Sequence, residues 1–120
     1  MEARGKAEGG AYAMVMSDEE ILAKNYGPWG NMRKKFLHEY RQAEWGLLQD
    51  AGRLDSYLKK INDDYTAKTE DLMAAELERL GVNEDLKSRD VMAWVQRYGQ
   101  ARGNVRETLQ KELEKENGNI

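Results

Sequence analysis

Apolar residues recur along one stretch of this chain at helical spacing: Leu54, Leu58, Ile61, Tyr65, Leu72, Leu77 and Leu80. Steps of four, three, four and seven place them on one helix face and approach a heptad seam, interrupted near Lys68 or Thr69. Gly52 and Gly81 bound the stretch as helix-ending glycines. The spacing predicts one helix from Leu54 to Leu80, about 40 Å long at ~1.5 Å per residue. Such a stripe cannot be buried by its own helix, so the helix needs partners.

The flanking segments supply them. Val91, Trp94, Val95, Tyr98, Val105, Leu109 and Leu113 form a second stripe, which opens after Asp90 as N-cap and runs to about Glu116. Trp94 lies on that stripe and reads as core. Gly99 and Gly103 weaken the middle of this helix. A short connection, with Asn83 able to cap one turn, sets the two long helices antiparallel. Upstream, Ser17-Asp-Glu-Glu20 is a capping box that opens a short helix over about 18–25. Gly27-Pro28 then imposes a turn. Asn31 caps a helix of about 31–51 with Met32, Phe36, Leu37, Tyr40, Leu47 and Leu48 on its stripe. The expected fold is all-α: a three-helix bundle dominated by two long antiparallel helices. Residues 1–16 read as a flexible Gly-rich arm, 17–116 as a single helical domain, and 117–120 as a frayed tail.

Composition narrows the function classes. The 120 residues are one domain's worth of chain. There is no cysteine, which excludes disulfides, thiolate catalysis and cysteine-ligated metal. No stretch approaches the ~20 apolar residues of a membrane span, and no signal-like apolar run stands near the N-terminus. The expectation is a cytoplasmic protein without a membrane partner. The net charge of −3 hides an asymmetry. Residues 26–53 carry net +2, from Arg33, Lys34, Lys35, Arg41 and Arg53 against Glu39, Glu44 and Asp50. Residues 54–80 carry net −3, with Asp55, Asp63, Asp64, Glu70, Asp71, Glu76 and Glu78 outnumbering Lys59, Lys60, Lys68 and Arg79.

Each candidate for chemistry has a plain structural counterpart. His38 is the sole histidine; with no second imidazole or thiol to build a metal site, it reads as a surface residue. Asp63, Asp64, Glu70 and Asp71 are acid pairs two turns apart, too far for one shared ion, and read as a solvated acidic face. Arg33, Lys34, Lys35 and Arg41 could hold phosphates, with Trp29 and Tyr40 placed for base stacking. Cations at a helix N-terminus oppose its dipole, so something other than helix stability keeps them there. The plain counterpart is a basic face that pairs with the acidic helix. Trp29 and Trp45 suit either partner contact or packing across helix junctions. No nucleotide-binding loop, serine elbow or zinc-protease helix is present.

Several short motifs occur together in order: Gly30-Asn-Met-Arg33, Leu47-Leu48, Gly52-x-Leu54, Leu58, Ile61, Gly81-Val-Asn-Glu-Asp-Leu-Lys87 and Met92-Ala-Trp-Val95. Over about residues 26–114 the chain resembles the family of transposon-encoded TnpV proteins. It departs from that pattern in its N-terminal arm and at Trp45, Gly99 and Gly103. The resemblance implies an accessory product of a conjugative transposon, not a transposase, and carries no catalytic residues across. The expected function is a non-enzymatic, cofactor-free interaction protein of a mobile genetic element. Its partner is expected to be a protein, in the sharper version a host RNA-guided defence nuclease. Trp29, Trp45, the Arg33–Arg41 face or the acidic face Asp63, Asp64, Glu70 and Asp71 would make the contact. The alternative is a nucleic-acid-binding accessory protein that uses Arg33, Lys34, Lys35 and Arg41. A homodimer fits the interrupted long stripe as well as an intramolecular pair does.

Overall fold

The structure, a computed structural model, describes residues 15–116. The expected arm lies outside the described residues up to position 14, and the expected frayed tail 117–120 lies wholly outside them. The described residues are all-α, with six helices: α1 Asp18–Ala23, α2 Pro28–Tyr40, α3 Gln42–Asp50, α4 Leu54–Arg79, α5 Glu84–Arg89 and α6 Val91–Lys115. They form two compact units divided within α4, the first ending at Asp63 and the second spanning Asp64–Glu116.

Most boundaries follow local chemistry. Ser17 accepts from the Glu20 N–H while Glu20 accepts from the Ser17 N–H, which closes the expected capping box of α1. Gly52 and Gly81 both take positive φ at helix ends, and Asn83 and Asp90 cap α5 and α6 with their side chains. Two expectations change. The 31–51 helix is two helices, α2 and α3, broken at Arg41, whose φ of −134° and ψ of 56° are not helical. Arg41 N–H still closes the last turn of α2 on Leu37, while its carbonyl accepts from Trp45 to open α3. The break re-aims α3, so that Trp45 and Leu48 join Leu37 in the core. The helix also begins three residues early, at Pro28, because Asn31 is not its cap.

In place of an Asn31 cap, the start of α2 is bonded across to α4. Asn62 Oδ1 accepts from the Trp29 and Gly30 N–H groups at 3.0 and 3.1 Å, satisfying two of the free donors of that helix end. Asn31 Oδ1 accepts from Tyr26 N–H, and its amide donates to Asn25, which also accepts from Gly27 N–H. Gly27 supports this turn at φ 95°. Gly30 is buried so close to α4 that a Cβ there would lie 2.6 Å from Tyr26 Cβ and 2.9 Å from the Leu58 carbonyl oxygen. The core of the first unit gathers on this contact: Ile21, Tyr26, Leu37, Trp45, Leu48, Leu54 and Leu58, with Met16 and Tyr57 packed against it.

In the second unit, the rest of α4 runs antiparallel to α6. Tyr65 hydroxyl donates to Glu116 at 2.9 Å, Lys68 pairs with Glu112, and Asn104 donates to Glu76 at 2.8 Å. Tyr65, Ala101, Val105, Leu109 and Leu113 are buried there. The first half of the α6 stripe behaves otherwise. This pairing register brings α4 to its end at Arg79, so nothing of α4 remains to cover the first turns of α6. Val91 and Val95 are accordingly exposed at 53% and 51%, and Trp94 and Tyr98 are half-buried rather than core.

The two kinds of glycine should separate on substitution. Gly30→Ala is expected to destabilise by about 1–3 kcal/mol, because backbone at Leu58 must give way. Gly46, with no heavy atom within 4 Å of an added Cβ, should gain up to ~1 kcal/mol on the same change. Urea denaturation midpoints of the two variants against the parent protein check both signs.

Candidate interaction surfaces

The four basic residues of the α2 region do not form one exposed face. Arg33 is fully buried; its Nε donates to the Tyr57 hydroxyl at 3.1 Å, and its guanidinium lies 5.5 Å from the Phe36 ring centre. Lys34 is 9% exposed. Its ammonium donates to three carbonyls at the end of α1, those of Ile21, Leu22 and Lys24, at 3.2, 2.9 and 2.5 Å. These are acceptors that the end of a helix leaves unsatisfied, and a cation there also complements the helix dipole. Burial pushes the Lys34 ammonium below its ordinary pKa. Arg41 is half-buried, bonded to Glu44 at 2.9 Å and set over Phe36 at 5.2 Å. Lys35 alone of the four is exposed.

The tryptophans divide as well. Trp45 is 3% exposed, so it is a core residue rather than a surface anchor. Its indole N–H donates to Asp18 at 2.9 Å, and His38, itself half-buried, meets the ring edge-on at 4.9 Å. Trp29 is half-buried in the first turn of α2. Trp94 is stacked with Tyr98 at 5.2 Å and covered by the Lys87 ammonium at 4.7 Å. A single helix through Arg41 leaves Trp45 off its apolar stripe; the break there turns Trp45 inward.

The acids behave as expected of a solvated face. Asp63, exposed, closes the first unit's part of α4. In the second unit Asp64, Glu70 and Asp71 are exposed on α4, as is Glu78, with Ala67 and Ala74 exposed among them. Among the described residues Asp63, Glu70, Asp71 and Glu78 make no ion pair. No group of three or more histidines, cysteines or carboxylates that could hold a metal ion occurs among the described residues. No helix of the described residues is long and apolar enough to cross a membrane.

A family model described as Transposon-encoded protein TnpV matches residues 10–113. The chain belongs to the TnpV family. It is thus a transposon-encoded protein, as the order of its motifs implied. Neither the comparison with curated proteins nor that with solved structures gave a match.

Two acids that sequence reading left aside hold this TnpV protein together. Asp55 accepts from Tyr26 hydroxyl at 2.7 Å and Lys24 ammonium at 2.9 Å, and pairs with Lys59 at 3.3 Å. Partial burial alone would raise the Asp55 pKa, but the bonds from Tyr26, Lys24 and Lys59 outweigh it and bring it down. Burial first, and Asp55 second, raise the Tyr26 hydroxyl well above its ordinary range. In the second unit, Arg79 and then Asn104 hold Glu76 down at about 2. Both carboxyls therefore stabilise the fold above their unfolded pKa values. As pH falls the unfolded chain takes up protons that the native one resists, so stability is lost through the low folded pKa values. Thermal unfolding should show a falling Tm from about pH 4.5 towards 2, and Glu76→Gln should flatten that slope. Lys34→Met should cost about 1–3 kcal/mol by leaving buried carbonyls unsatisfied. Lys35→Met should stay within ~0.5 kcal/mol. Denaturation midpoints of the two variants make that comparison.

Proposed function

We propose that this TnpV protein is a non-enzymatic, cytoplasmic binding protein of its mobile element. It would act through the acidic outer face of α4 on a host protein that handles nucleic acid. The observation that carries this reading is the contrast between the two charged segments. The cations Arg33 and Lys34 are spent inside the first unit, on Tyr57 and on the end of α1. The acids Glu70, Asp71 and Glu78 face solvent without an ion pair among the described residues, on a helix edge where the intervening exposed residues include Ala74 and Ala75. A rigid row of carboxylates resembles a nucleic-acid backbone in charge and can enter a channel built to attract phosphates. For a mobile element, the target that best fits such a mimic is a host RNA-guided defence nuclease of the CRISPR type.

The alternative, direct nucleic-acid binding, retains Lys35 and Arg41 as its half-buried or exposed cations in α2 and its junction, with Arg41 already bonded to Glu44. Such a patch supports few phosphate contacts and a shallow salt dependence.

Purified protein mixed with an RNA-guided nuclease should co-elute with it and slow target cleavage, less so at high salt. Substituting Glu70, Asp71 and Glu78 together by their amides should abolish both effects while leaving the helix content unchanged. Retention of full inhibition by that variant, or no association with any such nuclease, would sink the mimic reading. A mobility shift of free DNA that Lys35 and Arg41 substitution removes would favour the alternative.

A further inference from the structure

The exposed start of α6 has a shape of its own. Val91, Val95, Gly99 and Gly103 stand four residues apart on one ridge of the helix, all exposed, with Met92 beside them at 64% exposure. A Cβ added at Gly99 or Gly103 would meet no heavy atom within 4 Å, so no intramolecular packing requires either glycine. Glycine is the poorest helix former apart from proline, and here two of them sit inside an exposed helix. The ridge is thus raised at one end by two branched side chains and bare at the other. Charge follows the same polarity. At the valine end Arg89 pairs with Asp85, and Glu84 together with Asp90, the cap of α6, outnumbers Lys87, which keeps its charge over the Trp94 ring, so this end is net negative. At the glycine end Glu107 pairs with Lys111, which leaves Arg102 and Arg106 exposed without an ion pair among the described residues.

We propose that this face of α6 is the two-fold contact between two copies of the chain. An antiparallel second copy turned about position 97 lays Val91 and Val95 of each helix over Gly103 and Gly99 of the other. Ridges spaced by four interlock in this way, and the missing side chains let the backbones approach. The same reversal carries Arg102 and Arg106 of one copy towards Glu84 and Asp90 of the other, so shape and charge select the same partner. An isologous contact needs this self-complementarity.

Sedimentation equilibrium of the full chain should show a concentration-dependent dimer. Val95→Asp, which places a charge on the ridge, and Gly99→Leu, which fills the hollow, should each weaken association about tenfold or more. Circular dichroism should show undiminished helix content in both, since both sites are open to solvent. Arg102→Glu with Arg106→Glu should also give monomer, and adding Glu84→Arg should restore part of the dimer. A parent protein that sediments as a monomer at the highest concentration reached would overturn the proposal and leave the face to a different protein. Variants that associate as tightly as the parent would overturn it too.

Discussion

The close approach of α2 to α4 at Gly30 is the contact on which the first unit depends. With no side chain at Gly30, the helix start comes within reach of Asn62, whose carbonyl oxygen takes two backbone N–H groups at once. That places Lys34, one turn further along α2, beneath the end of α1, where its ammonium closes three carbonyls. A short helix of six residues is marginal by itself, and α1 holds because both of its ends are satisfied. The capping box serves one end and a lysine from another helix serves the other. Displacing α2 from α4 would therefore also release α1 and its buried Ile21.

This geometry answers the electrostatic puzzle of the α2 segment. A helix start at Asn31 would set these cations against the helix dipole, but α2 begins at Pro28, which puts Arg33 and Lys34 beyond its first turn. They are kept because they serve neighbours: Lys34 the carbonyls of α1, and Arg33 the Tyr57 hydroxyl of α4. A basic cluster that reads in sequence as a phosphate-binding face is to a large extent internal wiring. Among the acids of α4, Asp55 and Glu76 do comparable internal work, and the sequence does not distinguish either from its neighbours.

Legibility from sequence tracked the range of the interaction involved. The caps Ser17, Asn83 and Asp90, the terminal glycines Gly52 and Gly81 and the extents of the two long helices depend on interactions within a few residues, and the structure has them where spacing placed them; the Asn31 cap it does not have. The break at Arg41 carries no breaker residue, and it arises from how Trp45 and Leu48 pack in three dimensions. That one unreadable break also hid the burial of Trp45. The exposed start of α6 was missed for a related reason: periodicity shows which face is apolar, not whether a partner helix is long enough to cover it. The Gly99 and Gly103 departures from the family pattern were visible in sequence, but only the open space around them gives them meaning.

Arg33 and Lys34 of the basic α2 segment are consumed inside the fold, and Lys35 is not. Lysine-selective acylation of the native protein, followed residue by residue with mass spectrometry, tests this most directly. Lys35 should react at the rate of an open surface amine, whereas Lys34 should resist until the protein is unfolded in denaturant. Equal labelling of Lys34 and Lys35 under native conditions would contradict the account and restore the α2 cations as an available binding face.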